Sequence, residues 1–225
     1  MKNTRQLDFL FHRFPSLKAL PGVDLCCGDG KHLNSMVPGS IGIDFFQSPG
    51  LKLDPERPFH KLELEDEFAD TVAKMPTAPG WFMLVNTFEH VLDPHLFLLK
   101  IRRAMPDDAL FYLTVPIANT GAHKLLSRVM PGRVHRFWGG YLQHDHVNFF
   151  VPQTLDLTMQ YAGFEIVDRY YGVGVPGLNF ISNRITPTYG VVVKKITGWN
   201  YRNKSSVAKL LDDKGFMRFK DNPTF

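Results

Sequence analysis

The feature that most constrains the fold is the stretch of residues 23–36, which reads VDLCCGDGKHLNSM. A short apolar run leads into Gly28 and Gly30, and Leu33 and Met36 follow at helical spacing. This pattern predicts a strand, a glycine turn and a helix. Such a turn presents backbone N–H groups to a ligand at the carboxyl edge of a sheet, and a nucleotide-like cofactor suits it.

A second short strand is predicted at residues 41–43, and it ends in Asp44. In a doubly wound sheet a carboxylate at this place accepts hydrogen bonds from both ribose hydroxyls of a nucleotide. We therefore expect Asp44 to bind a ribose. An NAD-binding loop is the poorer interpretation, because the G-x-G-x-x-G pattern needs a third glycine where Leu33 stands.

Three motifs in order give the chain a family resemblance. The DLCCGDG of residues 24–30 resembles a D-x-G-x-G-x-G loop, residues 41–44 resemble an acidic second strand, and the FEHVLDP of residues 88–94 is similar to an E-H-V-x-D-P run. The chain thus resembles the class I S-adenosylmethionine-dependent methyltransferases over roughly residues 21–196. This implies an α/β, doubly wound, Rossmann-like sheet of seven mostly parallel strands with an antiparallel edge strand and helices on both faces.

The resemblance also implies that the cofactor is S-adenosyl-L-methionine. The residues expected to bind it are Asp24, Cys26, Gly28, Gly30, Asp44, Phe45, Asp54, Asn86 and Phe88. For Asp54, a contact with the adenine and a cap on the turn before Pro55 are equally good interpretations. Cys26 stands where the family has a glycine. Because a positive φ would strain a cysteine by roughly 1 kcal/mol or more, we expect a negative φ there.

Methyl transfer from a sulfonium requires alignment of the acceptor and, for a hydroxyl or an acidic carbon, a base. Histidine is suited to this role near neutral pH. The candidates, in order, are His146, His144 and His90. His144 and His146 also suggest a metal site, since residues i and i+2 of an extended segment point the same way. The sequence offers no evident third ligand, so we expect no metal.

Periodicity predicts the remaining elements. Helices are expected at residues 5–14, 56–75, 94–105 and 152–162. Further strands are expected at residues 51–53, 81–85, 109–115, 164–171 and 189–196, the last two as an edge hairpin. We expect one domain over residues 1–196, with a substrate-selecting insertion at 116–150, and a basic extension over 197–225.

The charge distribution bears on partners. The formal net charge is +4, but residues 194–225 carry eight Lys or Arg against three acids, so the excess belongs to the tail. No arginine-rich run or aromatic-basic motif accompanies it, and we expect nucleic acid not to be the partner. The insertion carries Lys124, Arg128, Arg133 and Arg136, which favours an anionic small molecule.

Neither a membrane-spanning apolar run nor the apolar core of a signal peptide is evident, so we expect a cytoplasmic protein. The predicted function is an S-adenosylmethionine-dependent methyltransferase acting on a small molecule by in-line displacement. A second hypothesis is a cofactor-binding or scaffold protein without activity, which Cys26 and the lack of an unambiguous base keep open. A third is a nucleic-acid methyltransferase, which salt-dependent binding lost on removal of the tail would reveal.

Overall fold

The computed structural model describes residues 5–52, 54–62, 66–117, 146–172 and 188–199. Its α-helices are α1 (Arg5–Arg13), α2 (Asp66–Ala73), α3 (Pro94–Ala104) and α4 (Pro152–Tyr161). Its strands are β1 (Gly22–Leu25), β2 (Ile41–Asp44), β3 (Phe59–Lys61), β4 (Trp81–Val85), β5 (Leu110–Pro116), β6 (Phe164–Gly172) and β7 (Thr188–Lys195). Short 3₁₀ turns lie at Pro15–Ala19, Leu33–Ser35 and Phe88–His90.

The strands form one sheet in the order β3-β2-β1-β4-β5-β7-β6. Strands β1 to β5 are parallel, and β7 runs antiparallel to both β5 and β6 in the hairpin at one edge. The strand order reverses between β1 and β4, and ligands of such sheets bind outside the carboxyl ends at that switch point. The predicted fold class is therefore confirmed.

Alternation along the strands sorts the core onto two faces. In β4, Phe82 and Leu84 join the apolar cluster that contains side chains of α2, α3 and α4, whereas Trp81 and Met83 join the cluster that contains α1. This is the period of two expected of a parallel strand buried on both faces. The predicted first helix thus packs on the sheet rather than over its edge.

Helix α3 begins and ends where its sequence signals predicted. The Oδ1 of Asp93 accepts a hydrogen bond from the backbone N of Leu96 at 2.9 Å, and Pro94 occupies the first turn. Pro106 follows the helix because it cannot continue the hydrogen-bond ladder. The cap fixes the segment between β4 and α3, which forms part of the site described below.

The third strand was predicted wrongly. It comprises Phe59–Lys61 instead of residues 51–53, and the helix predicted at 56–75 is limited to α2. Asp54 causes the shift, because its Oδ1 accepts from the backbone N of Glu56 and its carbonyl accepts from the N of Arg57, each at 2.9 Å. This turn reverses the chain before it pairs with β2.

The helix predicted after the glycine turn is also wrong. Only the 3₁₀ turn Leu33–Ser35 forms there, and Met36 is already extended, with φ −85° and ψ 166°. Pro38 prevents a helix from continuing past Val37, because proline lacks the N–H of a helical residue and drives the residue before it towards extended backbone. The glycine loop therefore lies beside a short turn rather than at the start of a long helix.

Most of the predicted insertion at 116–150 and nearly all of the extension at 197–225 fall outside the described residues. The proposed domain bounds and the roles of Lys124, Arg128, Arg133, Arg136 and His144 accordingly stay predictions. Within the described part of the chain, no helix combines the length and apolar character needed to cross a bilayer.

Candidate active site

The glycine loop after β1 is hydrogen-bonded to the end of β2. The backbone N of Cys27 donates to Ile43 O at 3.3 Å, and that of Gly28 donates to Asp44 Oδ2 at 2.9 Å. A third bond closes the loop on itself, from Gly30 N to Cys27 O at 2.9 Å. The loop and the acidic end of β2 therefore form one unit.

The backbone of Cys26 contradicts the expected negative φ, since its φ is 53°. The chain turns at this residue so that Cys27 can still donate to β2, and the left-handed conformation costs a non-glycine residue roughly 1–2 kcal/mol. Gly28 and Gly30 have φ 54° and 70°. A Cβ at Gly28 would meet no atom within 4 Å, so the loop is open on that side.

The two thiols do not provide a nucleophile. Burial raises the pKa of Cys26 to about 12 and raises the pKa of Cys27 further above its ordinary value. Cys27 is buried and lies against β2, where its Sγ would be 2.9 Å from a Cβ placed on Gly42. Reactive cysteines require the thiolate, which is disfavoured here at neutral pH.

Asp24 supports the loop from within the protein. Its side chain is buried, and its Oδ2 accepts from the backbone N of Leu33 at 3.1 Å. Burial raises the pKa of Asp24 to about 7; the hydrogen bond from Leu33 N opposes this shift, and the negative charges of Asp44 and Asp29 contribute to it. Its observed contact is with the backbone, and cofactor binding by this side chain stays a prediction.

Asp44 has hydrogen-bonding capacity beyond its present contacts. Its Oδ2 accepts from Gly28 N, and its Oδ1 accepts from Phe46 N at 3.2 Å. A carboxylate offers about four lone-pair sites, so each oxygen can accept one more hydrogen bond. Asp44 thus both fixes the loop and fits the predicted ribose ligand.

A cavity of about 510 Å³ lies at the carboxyl ends of β1, β2, β3 and β4, beside α3. The side chains around it that matter most here are Cys26, Phe45, Leu62, Thr87, His90 and Leu96. Three of these were predicted site residues. Leu62 was missed because β3 was misplaced, and Leu96 because the cavity-facing side of a helix is set by packing.

Phe88 was predicted to contact the cofactor, but its side chain lies in the core with none of its surface exposed. Its ring stacks on Phe150, with ring centroids 5.1 Å apart and planes inclined by 14°. The prediction is corrected because an apolar ring gains more by packing against Phe97 and Phe150 than by facing the cavity.

Asp54 lies ahead of β3 rather than at its carboxyl end. Its carboxylate pairs with the guanidinium of Arg57, which also donates to Met36 O at 2.7 Å near the start of β2. The turn-cap interpretation therefore describes it. Asn86, with φ 49°, donates from its backbone to Thr114 O at 3.0 Å and forms the turn at the end of β4.

Residues 146–149 are held against the segment that follows β4. The backbone N atoms of Val147 and Asn148 donate to Glu89 O at 3.0 and 2.9 Å, and the Asn148 side chain donates to Val91 O. Two motifs that are more than fifty residues apart in the chain are thereby joined.

This contact assembles a cluster of Glu89, His90 and His146. Glu89 Oε1 lies 3.9 Å from His90 Nε2 and 4.0 Å from His146 Nε2. The two imidazole rings are packed edge to face, with their centroids 4.6 Å apart. The Glu89 and His146 side chains are 3% and 5% exposed, whereas that of His90 is 32% exposed. Of the two candidate bases that the structure describes, His90 lines the cavity and His146 does not.

The family follows from a comparison with family models. The model described as a methyltransferase domain matches residues 2–169, well over half of the chain. The chain belongs to this methyltransferase family. A comparison with curated proteins found no match to this chain.

Solved structures share the fold of this chain. A SAM-dependent methyltransferase from Archaeoglobus fulgidus has a TM-score of 0.56 at 18% identity, covering 85% of this chain and 94% of its own. The 1,6-didemethyltoxoflavin N1-methyltransferase of Burkholderia thailandensis, with bound S-adenosylhomocysteine, has a TM-score of 0.56 at 12% identity. The match covers 86% of this chain and 77% of that protein's chain. The magnesium protoporphyrin IX methyltransferase of Synechocystis PCC 6803, also with bound S-adenosylhomocysteine, has a TM-score of 0.53 at 11% identity. The match covers 85% of this chain and 81% of that protein's chain.

Proposed function

We propose that this protein transfers the methyl group of S-adenosylmethionine to a small-molecule acceptor. The observation that carries the proposal is the cavity of about 510 Å³ at the switch point of the sheet, lined by Cys26 of the glycine loop and by Phe45, the residue after Asp44. The methyltransferase family and the shared fold support it. Two neighbours of this fold bind S-adenosylhomocysteine, the demethylated form of that cofactor.

The residues around the cavity fit the cofactor in chemical type. Asp44 would hold the ribose through the acceptor capacity of its two oxygens. Phe45 is 68% exposed and offers an aromatic face, next to Leu62, for the adenine. The open side of Gly28 would allow the amino-acid part of the cofactor close to the loop backbone.

Bound S-adenosylmethionine supplies an electrophilic methyl group, which a lone pair of the acceptor displaces while the carbon–sulfur bond pair passes to sulfur. The protein's task is to align the acceptor and to manage its proton. We propose that the cluster of Glu89, His90 and His146 promotes the loss of that proton, because His90 opens onto the cavity. An anionic acceptor belongs to the proposal, and Lys100 is a cation on the same cavity wall.

Calorimetric titration with S-adenosylhomocysteine tests the cofactor site through the pair Asp44→Asn and Asp54→Asn. The first change removes a negative oxygen beside the cavity, and the second makes the same chemical change in the turn ahead of β3. We expect the dissociation constant to rise about tenfold, equivalent to about 1.4 kcal/mol, in Asp44→Asn. Asp54→Asn is expected to stay within about twofold of the wild type.

Absence of saturable binding by the folded wild type, or equal weakening in both variants, would contradict the assignment. Turnover is then measured with S-adenosylmethionine labelled in its methyl group, against matched acceptors with and without a carboxylate or phosphate. Binding without methyl transfer to any acceptor would favour a cofactor-binding protein without activity.

A further inference from the structure

We propose that Glu89, His90 and His146 form a binding site for one divalent transition-metal ion. Each residue offers one ligand atom, and the three atoms lie within 4.8 Å of one another. The sequence supplied only a pair of histidines and no third ligand. Within the described residues, which do not include His144, the structure brings together two imidazoles and one carboxylate.

The spacing of the ligand atoms suits a shared ion better than direct hydrogen bonds. Separations of 3.9 and 4.0 Å from Glu89 Oε1 to the two Nε2 atoms exceed hydrogen-bond length. Ligands about 2.0–2.2 Å from a tetrahedral ion are roughly 3.4 Å apart. The three ligand atoms lie within 4.8 Å of one another, so each pair would have to approach by at most about 1.4 Å to reach this spacing.

The backbone holds two of the ligands in place. Glu89 O accepts hydrogen bonds from the N atoms of Val147 and Asn148, immediately after His146, so the two chain segments are locked together. Phe150 stacks on Phe88, the residue before Glu89, and anchors the same junction. Such positioning lowers the cost of assembling the ligands around an ion.

The chemistry of the three ligands suits a transition metal. The Glu89 and His146 side chains are almost wholly buried, so an ion held between them would be shielded from bulk water. Two imidazole nitrogens and one carboxylate oxygen suit Zn²⁺, Co²⁺, Fe²⁺ or Mn²⁺, whereas Mg²⁺ prefers oxygen ligands alone. Three protein ligands also leave at least one coordination position for another molecule.

The role of the ion rests on the proposed function. His90 lies on the cavity wall, so an acceptor oxygen there can take the open position, and coordination lowers the pKa of a hydroxyl. The metal-bound hydroxyl would lose its proton to solvent before its oxygen attacks the methyl carbon. The imidazoles then act as ligands rather than as bases.

The test is titration of the metal-free full-length protein with Co²⁺ alone, followed by its visible absorption bands and by calorimetry. We expect one equivalent to bind, and Glu89→Gln or His90→Gln to weaken binding at least tenfold. His60→Gln is the matched control, because His60 lies in β3 and lines a different cavity, together with Ile41 and Lys74. We expect it to match the wild type.

Failure of the wild type to bind Co²⁺, or equal affinity in His90→Gln, would overturn the metal site. If the buried Glu89→Gln does not fold by circular dichroism, the partly exposed His90→Gln decides. Titration with S-adenosylhomocysteine in the presence of a chelator measures cofactor binding without the metal ion. Metal binding without cofactor binding would therefore refute the proposed function alone, and the reverse result would refute the metal site alone.

Discussion

Replacement of Asp24 by asparagine tests how the loop is built. Burial raises the pKa of this carboxyl from 3.8 to about 7 in the folded protein. Between these values the folded state holds a proton that the unfolded state has released. The free energy of unfolding of the wild type therefore falls as pH rises through this window, and the decline ends above about pH 7.

The size of the effect follows from the shift. Each pKa unit corresponds to about 1.4 kcal/mol, so the full change from below pH 3.8 to above pH 7 is about 4 kcal/mol. Between pH 5 and 8, ionisation of Asp24 lowers the free energy of unfolding by about 2.5 kcal/mol. Asparagine cannot ionise, yet its Oδ1 can still accept from Leu33 N, so Asp24→Asn removes this dependence.

Urea unfolding followed by circular dichroism at pH 5, 6, 7 and 8 measures the difference. From pH 5 to pH 8, the free energy of unfolding of Asp24→Asn should rise by about 2.5 kcal/mol relative to that of the wild type. Any penalty for the buried NH₂ group is the same at each pH, so it does not affect this difference. Asp54→Asn is the control. The backbone N–H of Glu56 lowers the pKa of Asp54, so ionisation of Asp54 changes the free energy of unfolding only below about pH 4. Parallel curves for the wild type and Asp24→Asn between pH 5 and 8 would refute the reasoning.

Two further predictions concern the loop and the core. Cys26→Val should weaken S-adenosylhomocysteine binding at least tenfold, because a β-branched residue resists φ 53°, whereas Cys26→Gly should stay within about twofold; equal affinities in a titration would contradict this. Phe88→Leu should lower the free energy of unfolding by about 1–1.5 kcal/mol in a urea titration while cofactor affinity is unchanged, because the ring is in the core; loss of affinity at unchanged stability would return Phe88 to the cofactor site.

Local signals predicted much of the fold. The apolar run of β4 is a property of consecutive residues, as are the Asp93 cap and the proline after α3, so the sequence carries them directly. These three features do not depend on contacts between distant segments. The order of the strands does, and it was predicted from the family resemblance.

The errors arose where competing local signals were close in strength. Residues 51–53 read as a strand, but the turn capped by Asp54 moves the pairing to Phe59–Lys61. The loop at Cys26 keeps the left-handed backbone because hydrogen bonds to β2 outweigh the strain on one residue. Their balance depends on tertiary contacts that the sequence does not display.

The cluster of Glu89, His90 and His146 illustrates a second limit of sequence patterns. Glu89 and His90 were part of a motif and His146 was a candidate base, but their proximity results from hydrogen bonds between segments far apart in the chain. The spacing of histidines within one segment pointed to His144 and His146 as partners instead. Only the packed structure places a carboxylate between two imidazoles.

The most direct test of the central claim is a crystal structure of the protein with S-adenosylhomocysteine. We expect the ribose hydroxyls within hydrogen-bond distance of Asp44, the adenine beside Phe45, and the amino-acid part over Gly28. Occupation instead of the cavity of about 520 Å³ beside His60, at the opposite end of the sheet, would contradict it.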